Sequence, residues 1–120
     1  MDLDEANHDL LEHTEMNIQK FVEETNDRNV EGWRQWDMHH FVLGLCGETG
    51  ELANNAKKHS RWLVGWKGKA MDVVEFIDTL KEELPDIMIY LCLIAGKYDL
   101  DLGELVKDKV EVIKERFGWK

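Results

Sequence analysis

Residues 72–97 read DVVEFIDTLKEELPDIMIYLCLIAGK, and this stretch constrains the architecture more than any other part of the chain. Its apolar residues recur every three or four positions, which is the spacing of one helix face: Val73, Phe76, Ile77, Leu80, Leu84, Ile87, Leu91 and Ile94. The pattern predicts a helix over the whole stretch. Because Pro85 cannot donate a backbone hydrogen bond to the carbonyl of Lys81, it predicts either a kink or the start of a separate helix.

The same periodicity predicts three further helices, over residues 4–27, 37–59 and 102–117. Asp37 is a suitable N-cap for the second of them, whereas residues 60–70 break the pattern and predict a loop. Four amphipathic helices joined by short connections favour antiparallel packing. We therefore expect an all-α, four-helix bundle-like fold in which residues 1–120 form a single domain.

Composition limits the classes of function. The 120 residues carry 15 Lys and Arg against 25 Asp and Glu, which gives a formal net charge of −10. A surface of this charge repels phosphate backbones, so we expect no nucleic-acid polymer as a partner. Residues 1–10 do not resemble a secretory signal, and no apolar run is long enough for a membrane crossing, which predicts a cytoplasmic protein without a membrane partner. Cys46 and Cys92 fit small buried side chains in a reducing compartment.

Two pairs of acids lie beside the predicted apolar faces. At 100° per residue, Glu48 and Glu51 lie at about 300° and 240° when Leu45, a residue of the apolar face of their helix, is set at 0°. Glu83 and Asp86 lie at the same two angles on the next helix. If the two helices face each other, four carboxylates converge, and a hard cation such as Mg²⁺ is needed to offset their repulsion. The alternative is that these acids are solvated surface charges, as most glutamates are.

The two acidic motifs also resemble those of a known family. Residues 47–52, GETGEL, and residues 82–91, EELPDIMIYL, are similar to the Glu-x-x-Glu and Glu-x-x-Asp motifs of the MazG-like all-α nucleoside triphosphate pyrophosphatases, which include the dCTP pyrophosphatases. The resemblance extends over about residues 41–117. It implies hydrolysis of a (deoxy)nucleoside triphosphate to the monophosphate and pyrophosphate, which controls or cleanses the nucleotide pool. It also implies a homodimer or homotetramer.

The resemblance assigns roles to the four acids. Glu48, Glu51, Glu83 and Asp86 would hold Mg²⁺, for which Mn²⁺ could substitute. Either Glu48 or Glu51 would orient the attacking water as a catalytic base. Di-iron carboxylate bundles use a Glu-x-x-His motif instead, and no histidine follows these glutamates at that spacing.

Substrate contacts are predicted on both sides of the acidic motifs. Lys109 and Arg116 share one stripe of the last helix and match the family's phosphate-binding positions, whereas Ile113 stands where the family has asparagine. Further candidates for the substrate pocket are Asn55, Lys58, Tyr90, Trp33, Trp36, Trp62 and His40, and Lys58 stands where dCTP-type enzymes carry a tryptophan. The alternatives are favourable placement of the cations near a helix end and ordinary packing of the tryptophans. We expect His59 to be a surface residue.

Two other functions are compatible with the sequence. One is a hydrolase of the same superfamily that acts on dUTP or phosphoribosyl-ATP, although no residue singles out either substrate. The other is a non-catalytic helical interaction or regulatory module, whose acids are merely solvated. The two classes differ in a measurable property, which is whether the protein hydrolyses a nucleotide.

Overall fold

The computed structural model describes residues 18–120, which contain four α-helices, one turn of 3-10 helix at Trp33–Gln35, and no β-strand. The helices are α1 (Ile18–Asn29), α2 (Met38–Leu63), α3 (Val73–Lys97) and α4 (Leu102–Phe117). The all-α prediction is therefore confirmed for this part of the chain. The first fourteen residues of the predicted helix over 4–27 lie outside the described residues.

Helix α2 begins where the sequence predicts and ends later. Asp37 has extended backbone angles, and its carboxylate accepts a hydrogen bond from the backbone N–H of His39, as an N-cap does. The helix continues to Leu63, so the prediction that the loop begins at Ser60 is wrong. After Ser60 the chain meets no glycine or proline until Gly65, whose φ of 75° lies in the left-handed region in which helices commonly end.

Helix α3 is continuous through Pro85, so the alternative of a separate helix starting at that residue is wrong. Its start is stabilised by Asp72, whose carboxylate accepts a hydrogen bond of 2.9 Å from the backbone N–H of Glu75. Just beyond its end, Asp99 adopts a φ of 54°, a conformation that asparagine and aspartate tolerate better than most residues. Helix α4 has the predicted bounds and is capped by Asp101.

The described chain divides into two compact units. Residues 18–36 and 92–120 form the first unit, and residues 37–91 form the second. Arg34 connects distant segments of the first unit, because its Nη1 donates to the carbonyl of Gly96 over 2.9 Å and its Nε donates to Asp27 over 3.2 Å. Gly96 lies against the side chain of Glu23, whose carboxylate would have to shift to make room for a Cβ atom at position 96.

The two cysteines differ from each other in exposure, and both are free thiols. Cys92 is buried as predicted, and burial raises the pKa of its thiol, with a further contribution from the charge of Glu23. Cys46 is exposed, so the prediction that it is buried is wrong. Its position within an apolar stretch of α2 is not enough to bury it, because burial depends on whether another part of the protein covers that face of the helix.

Among the described residues, every helix is too short or too polar to cross a bilayer.

We expect Trp33→Ala to lower the free energy of unfolding by about 3–5 kcal/mol. Trp33 is only 2% exposed, and its indole N–H donates to Asp27 over 2.8 Å. Urea denaturation followed by circular dichroism measures the loss. Trp119→Ala is the matched control, because Trp119 is 63% exposed and its removal should cost about 1 kcal/mol or less. Equal losses in the two variants would contradict the assignment of Trp33 to the core.

Candidate metal centre

Three of the four predicted acids meet in the second unit. Glu48 on α2 and Glu83 and Asp86 on α3 each contribute one carboxylate oxygen to a group whose members all lie within 4.8 Å of one another. Glu51 follows Glu48 by three residues and lies close enough to Glu83 to raise its pKa. The four residues are called the acidic cluster below. The acidic cluster forms because α2 and α3 pack with the sides that carry these acids facing each other, as the helical angles predict.

Glu83 is the buried member of the acidic cluster. Its side chain is 8% exposed, whereas Glu48 is half-buried and Glu51 and Asp86 are exposed. Its Oε2 atom is buried and has no hydrogen-bond partner among the described residues. The pKa of Glu83 is raised to about 7, chiefly by burial and further by hydrogen-bonding contacts with and repulsion from Glu48 and Glu51. The folded protein therefore disfavours an uncompensated negative charge at this position.

The donor set of the acidic cluster fits a hard divalent cation. A buried carboxylate oxygen without a partner is costly, and either a bound proton or a bound cation removes that cost. All the donors are carboxylate oxygens, which suit Mg²⁺ or Mn²⁺ and do not suit a soft metal. A cation held by side-chain oxygens in this way keeps positions for water and for the oxygens of a phosphate. The cluster can thus hold a metal that binds a phosphorylated ligand.

A glycine brings the two helices together beside the cluster. A Cβ atom at Gly44 would overlap the phenol ring of Tyr90, so the backbone of α2 approaches that ring closely. Gly44 lies one turn before Glu48, and Tyr90 lies one turn after Asp86. The contact is therefore next to the acids on both helices. In the sequence, Gly44, Gly47 and Gly50 are indistinguishable by spacing, and only the structure shows that Gly44 is the one that meets the ring.

The remaining predicted pocket residues of the second unit have diverse surroundings. Tyr90 is half-buried against Gly44, and Asn55 and Lys58 are half-buried on α2. Trp62 is 46% exposed, so one part of its ring is accessible to a ligand. His40 is exposed and contacts Phe41 edge-on, with ring centroids 5.6 Å apart.

His59 has a structural position that the sequence did not reveal. It is half-buried and stacks on Phe76 of α3 with ring centroids 4.8 Å apart and an interplanar angle of 5°. It also stacks on Trp62 at 6.0 Å, and its Nδ1 atom lies 3.0 Å from the carbonyl of Met71. The prediction of a surface residue is wrong. The i, i+3 spacing of His59 and Trp62 was the available signal.

Four predicted substrate residues belong to the first unit. Lys109 and Arg116 are exposed on α4, and Trp36 is 41% exposed. Trp33 is buried, and the guanidinium carbon of Arg34 lies 4.6 Å from the centre of its ring. A tryptophan covered in this way has no free face for stacking on a base, so Trp33 fits the packing alternative.

We expect Gly44→Ala to weaken Mg²⁺ binding by about tenfold, because separation of α2 from Tyr90 displaces Glu48 from the acids of α3. Isothermal titration calorimetry with MgCl₂ measures the affinity. Gly47→Ala is the matched control on the same helix, since a Cβ atom there meets nothing within 4 Å. It should bind Mg²⁺ like the wild type and gain up to about 1 kcal/mol of stability from helix propensity. Equal affinities in the two variants would contradict the role of the close approach.

We expect the metal-free protein to lose stability as the pH rises from about 4.5 to about 7, because the pKa of Glu83 rises from 4.5 to about 7 on folding. The folded state then binds the proton more tightly than the unfolded state. The stabilisation is complete below the unfolded pKa and is lost as the pH passes the folded one. Thermal unfolding in chelator at pH 5 and pH 8 measures the difference.

Glu83→Gln should be less sensitive to pH than the wild type in that experiment, and more stable than the wild type at pH 8 without metal. Glu82→Gln changes the same charge at an exposed neighbour and should retain the wild-type dependence. The assignment of the raised pKa to Glu83 would be contradicted by a Glu83→Gln variant as sensitive to pH as Glu82→Gln.

Comparison with known proteins identifies curated relatives of this chain. The chain is 31% identical over 93 residues to dCTP pyrophosphatase 1 of Rattus norvegicus, which covers 70% of this chain and 50% of the relative. The human dCTP pyrophosphatase 1 is 30% identical over 95 residues, with the same coverage. The Gene 37 protein of Mycobacterium phage L5 is 30% identical over 79 residues, which covers 66% of this chain and 65% of the relative.

The chain spans about half the length of the mammalian relatives that it matches. No family model matches it. No solved structure is significantly similar to it. The resemblance stated from the two acidic motifs is nevertheless confirmed by the curated proteins, and the chain is a homologue of the dCTP pyrophosphatases.

Proposed function

We propose that the protein is an enzyme that hydrolyses a deoxynucleoside triphosphate to the monophosphate and pyrophosphate, with Mg²⁺ held by Glu48, Glu51, Glu83 and Asp86. The observation that carries this proposal is the convergence of carboxylate oxygens around the buried, unpartnered Oε2 of Glu83. The name of the mammalian homologues, dCTP pyrophosphatase 1, makes dCTP the first substrate to test. Mn²⁺ should substitute for Mg²⁺, since it accepts the same oxygen donors.

In this proposal the bound metal neutralises phosphate charge and polarises the phosphoryl oxygens. Glu48 or Glu51 holds a water molecule by accepting a hydrogen bond from it. As the water oxygen bonds to phosphorus, that carboxylate takes the proton, and the bond to the bridging oxygen between the α- and β-phosphates breaks. Attack on either phosphorus yields the same monophosphate and pyrophosphate. Glu83 and Asp86 serve as ligands, with Glu83 ionised once a cation offsets its charge.

Further residues are proposed as substrate contacts. Lys109 and Arg116 are proposed for the phosphates, because Lys acts as a point charge and Arg can donate two parallel hydrogen bonds. The other residues proposed to contact the substrate are Asn55, Lys58, Tyr90, Trp36, Trp62 and His40. Trp33 is left out because it is buried.

A homodimer or homotetramer is part of the proposal. Large apolar side chains are exposed in the second unit, where Leu43 is 71%, Val64 77% and Val74 65% accessible. Contact with another copy would bury such groups and gain about 25 cal/mol for each Å² of apolar surface removed from water. We propose further that residues 1–120 act as one catalytic domain in the cytoplasm, where nucleotide pools are located.

A panel of nucleotides tests the function. The protein is incubated with MgCl₂ and each dNTP, dUTP or phosphoribosyl-ATP, and the release of monophosphate and pyrophosphate is measured by chromatography. We expect turnover of at least one dNTP. The absence of turnover on every nucleotide, together with no Mg²⁺ binding in calorimetry, would favour a non-catalytic helical interaction module.

We expect Glu51→Gln and Asp86→Asn each to lower kcat/KM by about 100-fold or more, because loss of a metal ligand or base removes transition-state stabilisation. Circular dichroism should show intact helices, since each change relieves carboxylate repulsion. Glu75→Gln is the control, because Glu75 is an exposed acid on the first turn of the same helix as Asp86. Full activity in both site variants would show that the metal assignment is wrong.

A further inference from the structure

Positive charge is concentrated in one stretch of this acidic chain. Residues 52–71 contain no Asp or Glu and hold five of the 15 Lys and Arg side chains. These five are Lys57, Lys58, Arg61, Lys67 and Lys69, and residues 57–69 are called the basic segment below. The segment carries a formal charge of +5, although the whole chain carries −10. The rest of the chain therefore carries −15.

None of the five cations of the basic segment forms an ion pair with a carboxylate of residues 18–120. Other cations of the same range do, as in the pairs Lys20–Glu24, Lys81–Asp78 and Lys114–Glu111. Lys57, Lys67 and Lys69 are exposed, and Lys58 and Arg61 are half-buried. Within the described residues, the segment thus carries positive charge that is not paired with a carboxylate, and three of its five cations are exposed.

The basic segment has a defined conformation. The backbone N–H of Trp66 donates to the carbonyl of Arg61 over 2.9 Å, and the N–H of Met71 donates to the carbonyl of Lys58 over 3.1 Å. The guanidinium of Arg61 donates to the carbonyl of Lys69 over 3.4 Å, and its carbon lies 6.0 Å from the ring centre of Trp66. The loop after α2 is therefore folded back onto the end of that helix, which keeps the cations together.

The basic segment and the acidic cluster belong to the same compact unit. Lys58 follows Glu51 by seven residues on the continuous helix α2. Seven residues correspond to a rise of about 10.5 Å and a rotation of about 20° short of two turns, so the two residues share one side of the helix. An anion bound at the basic segment is about one nucleotide length away from the acids.

We propose that the basic segment captures the polyphosphate of the incoming nucleotide and delivers it to the acidic cluster. The inference rests on the proposed function. A nucleoside triphosphate is a polyanion, and the acidic remainder of the chain repels it. A local region of opposite charge attracts it and raises its rate of association, by about 10-fold to 1,000-fold in known cases of electrostatic steering.

The test is a charge-neutralising variant, Lys57→Gln with Lys67→Gln and Lys69→Gln, in the full-length protein. The control, Lys20→Gln with Lys107→Gln and Lys120→Gln, changes the net charge equally, at exposed positions of the first unit. We expect the first variant to lose about tenfold in kcat/KM relative to the control at about 0.01 M ionic strength. The two should differ by less than about twofold at about 0.5 M, with kcat unchanged. Equal kcat/KM at low ionic strength would overturn the proposal.

A binding measurement separates this inference from the proposed function. Sodium triphosphate is titrated into the metal-free protein by calorimetry at low ionic strength. We expect the wild type and the control to bind it about tenfold more tightly than the segment variant, whether or not any nucleotide is hydrolysed. Equal affinities would overturn the proposal even if the enzyme is active.

A single-stranded DNA 20-mer is the last probe, because exposed Trp62 and Trp66 interleave with the cations and could stack on bases. We expect it to bind no more tightly than triphosphate at about 0.15 M salt. Tight binding of the 20-mer that the segment variant loses would overturn the proposal in favour of a nucleic-acid surface.

Discussion

Glu83 is subject to the constraint on which the acidic cluster depends: its carboxylate is nearly buried, and one of its oxygens meets no hydrogen-bond donor among the described residues. A charge in such a place is costly, and a bound proton or a bound cation removes the cost. In the metal-free protein a bound proton removes this cost, and the pKa of Glu83 is accordingly raised to about 7. A bound cation could also remove it, because Glu48 and Asp86 bring further carboxylate oxygens close to Glu83. The same geometry that destabilises the ionised apo state therefore creates the affinity for a cation.

Repulsion among the acids has to be opposed by packing in the same unit. The close approach of Gly44 to Tyr90 provides it within one turn of the cluster on each helix. At the other end of α2, His59 stacks on Phe76 of α3 and lies within hydrogen-bond distance of Met71. These contacts on both sides of the acids hold α2 and α3 together, which explains how the carboxylates can remain close before a cation is bound.

The net charge of the chain conceals a separation of charge within the second unit. The net charge of −10 argues against a nucleic-acid polymer as a partner. The basic segment nevertheless carries a charge of +5, at the end of the helix that contains Glu48 and Glu51 and in the loop after it. A cation at the acidic cluster and the lysines of the basic segment would both attract phosphate oxygens. An acidic protein can therefore bind a triphosphate, because salt screens exposed charges that lie more than about one Debye length away. The local positive charge then matters more to the ligand than the net charge of the molecule.

The sequence by itself determined the all-α class, the bounds of α3 and α4, the N-cap at Asp37 and the two acidic stripes, because these depend on local periodicity and capping chemistry. It could not distinguish Glu83 from Glu48, since the two occupy the same angle on their helices. The tertiary structure decided that Glu83 is buried and Asp86 exposed, that Cys46 faces outward, and that Gly44 alone of three similar glycines meets an aromatic ring. Burial and contact depend on which surface a neighbouring helix covers, and a single helix carries no information about its neighbour.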